Sequence, residues 1–256
     1  MRTSMKSLAI GSLAVASLLV VSSCQKGDLG PDNAQYASVL AVAGDGVTSV
    51  IENNLKAAMI VTPTLTDAEL ASLLEMKEEE KLARDVYSAL FEKWGQQVFS
   101  NISAAENNHL NAIVLLLNAY EVGNTAIGDA GVFSDPAVQA LYADLVAKGS
   151  VSVEEAFKTG ALIEEMDIRD LSGLLASTTN ENVTMVFENL LKGSRNHLRA
   201  FNLQLQTLGL TYTPVYISAD EFTRITTSPM EKGKQYKMQG NGTCTGSQQQ
   251  KRKGRN

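Results

Sequence analysis

Four long segments of this chain repeat their apolar residues every three to four positions, and each has its own start and stop signals. Thr66-Asp-Ala-Glu69 is a capping box, in which hydroxyl and carboxylate satisfy each other's orphan backbone amides. It predicts a helix running to Trp94, with Gly95 as its stop. A second helix fits 98–120. After a connection over 125–134, Asp135-Pro136 opens a short helix reaching Lys148, since proline suits the first helical turn. Ser152-Val-Glu-Glu155 is another capping box and starts a third main helix ending at Ala176. The fourth follows a turn over 177–180 and runs to Leu208, with Gly209 behind it; Ser218 to Glu221 can cap one more turn. Nothing alternates with period two for long enough to predict a sheet. The expectation is an all-α fold, a four-helix bundle over 66–226 with a short extra helix between main helices two and three.

The ends of the chain read differently. Positive charge in residues 1–6, an apolar run over 8–21 and small residues before Cys24 form a secretory signal, too short for a comfortable membrane span. The stretch Val21-Ser-Ser-Cys24 resembles the lipobox of bacterial lipoproteins, which implies cleavage at 1–23 and lipid on Cys24. An ordinary signal peptide with an incidental cysteine is the alternative. The expected location is extracytoplasmic, anchored to a membrane by acyl chains. With Cys24 lipidated, Cys244 is the one remaining thiol, so an internal disulfide is excluded. Residues 24–65 read as a tether, polar and turn-rich at first and weakly periodic later. Residues 227–256, rich in Gly, Gln and Lys, read as a disordered basic tail. A net charge of −6 argues against nucleic acid as a partner.

Within the helical region, chemistry concentrates on the apolar faces. At about 100° per residue, Glu80 lies at the centre of a stripe formed by Leu73, Met76, Ala83, Tyr87, Phe91 and Trp94. Glu106 and His109 share a face with Ile102, Ile113, Leu117 and Tyr120. Glu164 sits among Ala161, Ile168, Leu171 and Leu175, with Asp167 beside it, and His197 among Val186, Leu190, Ala200, Phe201 and Leu208. His109 and His197 are the chain's two histidines. Burying an unpaired carboxylate costs several kcal/mol or forces it to take up a proton. A metal ion removes that penalty. Counting residues from the turns puts Glu80 and Glu106 at heights differing by about 6 Å, and Glu164 and His197 likewise, so the four positions can converge.

These residues resemble a family. Glu80-Lys-Leu-Ala83-Arg84-Asp-Val-Tyr87 looks like the first-helix motif of rubrerythrin-type proteins of the ferritin-like superfamily, Glu106-x-x-His109 like the second-helix ligand pair, and Glu164 with Asp167 like the third-helix acids. The runs 78–87 and 193–201 are similar to an uncharacterised prokaryotic ferritin-like domain-of-unknown-function family. The resemblance implies a ferritin-like bundle and a di-iron carboxylate site: Glu80, Glu106 and Glu164 hold or bridge metal, and His109 and His197 are terminal ligands. One or two iron or manganese ions are implied, with zinc or no metal as alternatives. Oxidase, peroxidase or ferroxidase chemistry would follow, and a homodimer is possible. No Cys-x-x-Cys is present, so an enzyme of this kind needs an external reductant.

One departure matters. The fourth helix of that group carries Glu-x-x-His, and here Ser194 stands where the glutamate belongs. Asp167 can substitute, one site can be weak, or no metal binds. The bland readings are an ion pair of Glu80 with Arg84 and a buried network of His197 with Ser194 and Arg195. The contrasting function is a metal-free helical bundle serving as a surface binding or structural module; a metal-sensing partner of another protein is a third possibility.

Overall fold

The computed structural model describes residues 36–43, 48–60, 64–123 and 125–238. In chain order they form β1 (Tyr36–Ser38), β2 (Leu40–Val42), β3 (Thr48–Val50), α1 (Glu52–Ala58), α2 (Asp67–Trp94), α3 (Gln97–Ala119), α4 (Pro136–Gly149), α5 (Val153–Ser177), α6 (Glu181–Thr207), α7 (Ala219–Thr227) and β4 (Gln235–Lys237).

The local signals explain the helix ends. The Glu69 N–H donates to Thr66 Oγ1 at 3.2 Å and the Thr66 N–H donates back to Glu69 Oε2 at 3.0 Å, closing the expected capping box. Gly95 stops α2 in the left-handed region at φ 65°, which glycine adopts without strain. At the start of α5 the Ser152 hydroxyl accepts the Glu155 N–H, while the Glu155 carboxylate turns away to Lys158, so half of the expected box forms. Asp135 caps α4 with Pro136 behind it, Asn180 caps α6, and Ser218 caps α7.

Glu69 also fixes tertiary structure. Its Oε1 accepts from Thr178 Oγ1 and from the Thr179 and Asn180 N–H groups, tying the start of α2 to the turn between α5 and α6. At the far end, the Trp94 indole donates to the Gly149 carbonyl at 2.9 Å, joining α2 to α4. The connection after α3 is held by a buried ion pair. Lys81 reaches Asp85 at 2.6 Å and donates to the Asp129 carbonyl, while Asp85 accepts the Gly131 N–H.

Helices α2 and α3 are joined by two residues and α5 and α6 by three, so each pair packs antiparallel; α3 also meets α6, and α2 meets α5. The four long helices enclose two apolar clusters. One gathers Tyr87, Leu90, Phe99, Phe157, Phe201 and Leu205; the other gathers Leu73, Met76, Leu116, Leu117, Phe187 and Leu190. On α2, α3 and α6 the chain passes from one cluster to the other through a short polar stretch containing Glu80, Glu106 to His109, or Ser194 to His197. On α5, Glu164 to Asp167 lie between Ile163 and Ile168 of the first cluster, one turn before Leu171 joins the second. A buried polar layer therefore lies between two apolar ones.

The structure corrects the reading of the flanks. The segment expected as a tether holds structure from β1 through α1: β2 pairs antiparallel with β3, Leu40↔Val50 in register, and β3 packs on α3 and α6. Val39, Leu40, Thr48 and Leu55 are buried there. Part of the segment expected as a disordered tail is ordered too, since β4 pairs antiparallel with β1, Ala37↔Tyr236 in register. Among the described residues the fold is thus mostly helical with four short strands, where helices alone were expected. The signal segment, Cys24 and Cys244 lie outside the described residues. Among the described residues no helix is long and apolar enough to cross a membrane.

Candidate metal centre

The polar layer is closed to solvent. Glu80, Glu106, His109, Glu164 and His197 show no exposed surface, and Asp167 is 3% exposed. One ligand-type atom from each of Glu80, Glu106 and His109 lies within 4.8 Å of the others, and the same holds for Glu106, Glu164 and His197. Glu106 belongs to both trios. Its Oε2 is 2.8 Å from His109 Nδ1 and its Oε1 is 2.7 Å from His197 Nδ1. Glu80 Oε2 approaches His109 Nδ1 from the other side at 3.3 Å, and Glu164 Oε2 approaches His197 Nδ1 at 3.5 Å. Each imidazole thus turns Nδ1 toward two carboxylates.

Only one of these contacts is a hydrogen bond, that between His109 Nδ1 and Glu106 Oε2. His197 Nδ1 and Glu106 Oε1 lack an aligned hydrogen bond despite their separation. Both oxygens of Glu80, Glu164 Oε2 and Asp167 Oδ2 also find no donor. Leaving buried acceptors without donors is costly, at about 1–3 kcal/mol each and more for charged groups. Apart from the His109–Glu106 bond, these converging oxygens meet no donor, which suits a cation, and carboxylate with imidazole suits a divalent one. The donor set therefore fits two metal ions sharing Glu106.

Without a cation the charges redistribute. Burial resists ionisation of Glu106, but His197 and His109 outweigh it and hold this carboxyl below its ordinary range. Burial disfavours the His109 imidazolium, yet Glu80 and Glu106 push its pKa up to about 10; Glu106 and Glu164 likewise push His197 up to about 9. Burial, reinforced by Glu106, raises Glu164 to about 7 against the opposing effect of His197 and Tyr87. Burial together with neighbouring acids drives Glu80 and Asp167 well above the usual carboxyl range. Without metal, the ionised form is favoured most at Glu106 and the charged form at both imidazoles, while burial favours the protonated form of Glu80 and Asp167.

The bland readings for these residues do not hold. Arg84 bonds Asp85 at 2.8 Å and Asn107, not Glu80. Arg195 pairs with Glu231, and Ser194 Oγ donates to the Leu190 carbonyl at 3.2 Å, so neither engages His197. Ser194 consequently supplies nothing to either trio. Asp167 is buried close enough to feel Glu164, Glu80 and Glu106 but belongs to neither trio. Glu188, which projects away from His197, bonds Lys234 and Tyr236 instead.

Three residues of the centre escaped the sequence. Thr48 on β3 is fully buried, with Oγ1 3.2 Å from His109 Nε2 and 3.1 Å from His197 Nε2. The rings lie nearly parallel behind it, 5.4 Å apart between centroids and inclined by 19°. Tyr87, which sequence alone assigns to the core, donates to Glu164 Oε1 at 2.6 Å. Gly193 on α6 makes room for His109: a Cβ there would lie 2.5 Å from His109 Cε1 and 2.9 Å from Thr48 Oγ1. A glycine inside a helix is the one sequence signal that could have marked it, because such glycines often serve packing.

A family model described as an uncharacterized protein domain, DUF2202, matches residues 69–229, from the start of α2 to just past α7. The chain is 46% identical over 170 residues to the uncharacterized protein MJ0754 of Methanocaldococcus jannaschii, which covers 66% of this chain and 92% of that protein. The crystal structure of the hypothetical protein MJ0754 from Methanococcus jannaschii superposes with a TM-score of 0.64 at 45% identity. It spans 68% of this chain and 99% of that one. Thr48 lies outside the segment that the family model matches.

Proposed function

This chain belongs to the family described as the uncharacterized protein domain DUF2202, and we propose that its members of this kind carry a ferritin-like di-metal carboxylate centre. In this reading Glu80, Glu106 and His109 hold one ion, and Glu106, Glu164 and His197 hold the other, with Glu106 as the shared bridge. Asp167, buried beside the trios but part of neither, would add the further negative charge that Ser194 cannot. The observation that carries the proposal is the pair of buried trios meeting at Glu106, with carboxylate oxygens that no hydrogen bond satisfies. Four carboxylates and two neutral imidazoles balance two divalent ions, so the bound layer would be neutral and cheap to bury.

Carboxylate and imidazole ligands favour iron or manganese, and zinc would also fit. A reduced pair of iron or manganese ions held there would supply electrons to dioxygen or peroxide, the chemistry of oxidase, peroxidase or ferroxidase activity, which zinc would not support. The chain's own part is to hold ligands and exclude water. Burial of all five trio residues keeps solvent out, and Tyr87 pins Glu164 by donating to one of its oxygens. An external reductant completes the cycle. We place the protein outside the cytoplasm, anchored through lipid on Cys24, and allow a homodimer.

The test is metal analysis of protein purified without chelator, followed by anaerobic titration with iron(II) or manganese(II). About two equivalents should bind, and Glu106→Ala should lose both because it removes the shared ligand. Less than about a tenth of an equivalent, with melting unchanged by added metal, would leave the metal-free helical module as the function. The raised pKa values of His109 and His197 favour that second reading, since imidazolium rings can neutralise the layer unaided.

A further inference from the structure

We propose that Thr48 is a positioning residue that fixes both histidines of the centre through one oxygen, holding each ring with a proton on Nε2 and Nδ1 turned to the carboxylates. Its role as metal-site organiser rests on the reading above; its role as a hydrogen-bond acceptor does not.

A threonine oxygen has two lone pairs and one hydrogen. Thr48 Oγ1 faces Nε2 of both rings at 3.2 and 3.1 Å, fully buried. If it donated to one ring, that Nε2 would be bare and its proton would sit on Nδ1. That Nδ1 would then face Glu80 and Glu106, or Glu106 and Glu164, as a donor with no lone pair to offer a cation. If it accepts from both rings, both Nε2 atoms carry hydrogen and both Nδ1 atoms can ligate. Fixing a ligating imidazole through its other nitrogen is how an outer partner sets the tautomer and orientation of a metal ligand. Here one hydroxyl does this for two ligands in different trios. It thereby couples the two halves of the centre on the side opposite Glu106.

The hydroxyl arrives from outside the four long helices. It is carried by β3, which packs on α3 and α6, the helices that bear the two histidines. Gly193 leaves the gap it enters, because a Cβ there would meet both Thr48 Oγ1 and the His109 ring. Docking of the β2–β3 hairpin and alignment of the rings are thus one event.

The chain has two histidines, so long-range proton–nitrogen NMR on protein labelled with 15N-histidine reads both rings directly. Bound to zinc(II) the rings must be neutral, and both Nε2 atoms of the wild-type protein should then carry protons; a bare Nε2 on either ring overturns the proposal. In a zinc(II) titration followed by the same spectra, both Nδ1 resonances should shift as ligands. Thr48→Val keeps the shape and removes the acceptor, and zinc affinity should fall roughly 10- to 100-fold, with Thr48→Ser restoring it. Equal zinc affinity in wild type and Thr48→Val overturns the organising role. If wild-type protein takes up no zinc, iron or manganese, the di-metal reading fails, and the acceptor role is decided by the Nε2–H resonances of the metal-free rings, which Thr48→Val should shift on both rings and which unmoved would overturn that role. The wild-type spectra and Thr48→Ser keep the test decisive if Thr48→Val does not fold.

Discussion

Replacing Gly193 with alanine sets two effects of known size against each other. Gly193 lies inside α6, where alanine is favoured over glycine by about 1 kcal/mol. The added Cβ would sit 2.5 Å from His109 Cε1, 2.7 Å from Nε2 and 2.9 Å from Thr48 Oγ1. Ordinary contact begins near 3.4 Å, so the ring must retreat by about 0.9 Å. It has little freedom to do so, with Nε2 against Thr48 and Nδ1 between Glu80 and Glu106. Overpacking of this kind costs about 1–3 kcal/mol, which exceeds the propensity gain in most of its range. We expect a net loss of up to about 2 kcal/mol, or as much as roughly 8 °C in melting temperature for a domain of this size. Gly173, in α5, provides the control, because a Cβ there meets nothing within 4 Å. Gly173→Ala should raise the melting temperature by about 2–4 °C. Both variants are read by calorimetry of chelator-treated protein, and metal uptake is measured in parallel. In Gly193→Ala the displaced His109 should cost the ion held with Glu80 and Glu106 more than the other. Were Gly193→Ala to gain as much stability as Gly173→Ala and take up metal normally, the claimed tightness of this contact would be wrong.

Tyr87→Phe keeps the ring in the aromatic cluster with Phe99 and Phe201 but removes the donor to Glu164. It should cost about 1–3 kcal/mol in denaturant unfolding, and a neutral result would mean that Glu164 is satisfied by other means. Glu69 is held down to about 2, because hydrogen bonds from Thr66, Asn180 and Thr179 outweigh the upward push of burial. Its folded pKa lies below the unfolded value of about 4.5, so its stabilisation is complete above that pH and is lost as pH falls toward 2. Glu69→Gln should flatten the wild-type loss of stability in that window, and an unchanged acid profile refutes the assignment. Metal uptake should weaken as pH falls, because His109 and His197, raised to about 10 and 9, must give up protons to ligate. Calorimetric titrations in buffers of different ionisation heat should show proton release on binding, and heats independent of buffer would contradict it.

The helices and the inward-facing acids were legible from the sequence because their causes are local. A cap acts over three residues, a glycine stop over one turn, and the placement of Glu80 or His197 on an apolar face repeats within four. Turn lengths put Glu80 near the height of Glu106 and Glu164 near that of His197, so counting allowed the four positions to converge, and contacts between helices made Glu106 their meeting point. The strands did not show: three residues are too few for a period-two pattern, and β1 finds β4 at the other end of the chain. Thr48 was invisible for the same reason, since nothing near it in sequence says that its hydroxyl will stand between two imidazoles carried by α3 and α6. The exclusion of Ser194 from the trios and the capture of Arg84 and Arg195 by other acids were likewise decided by side-chain contacts. Sequence set which groups would face inward; packing between distant segments decided which of them touch, because a hydrogen bond or an ion pair depends on positions that no local rule specifies.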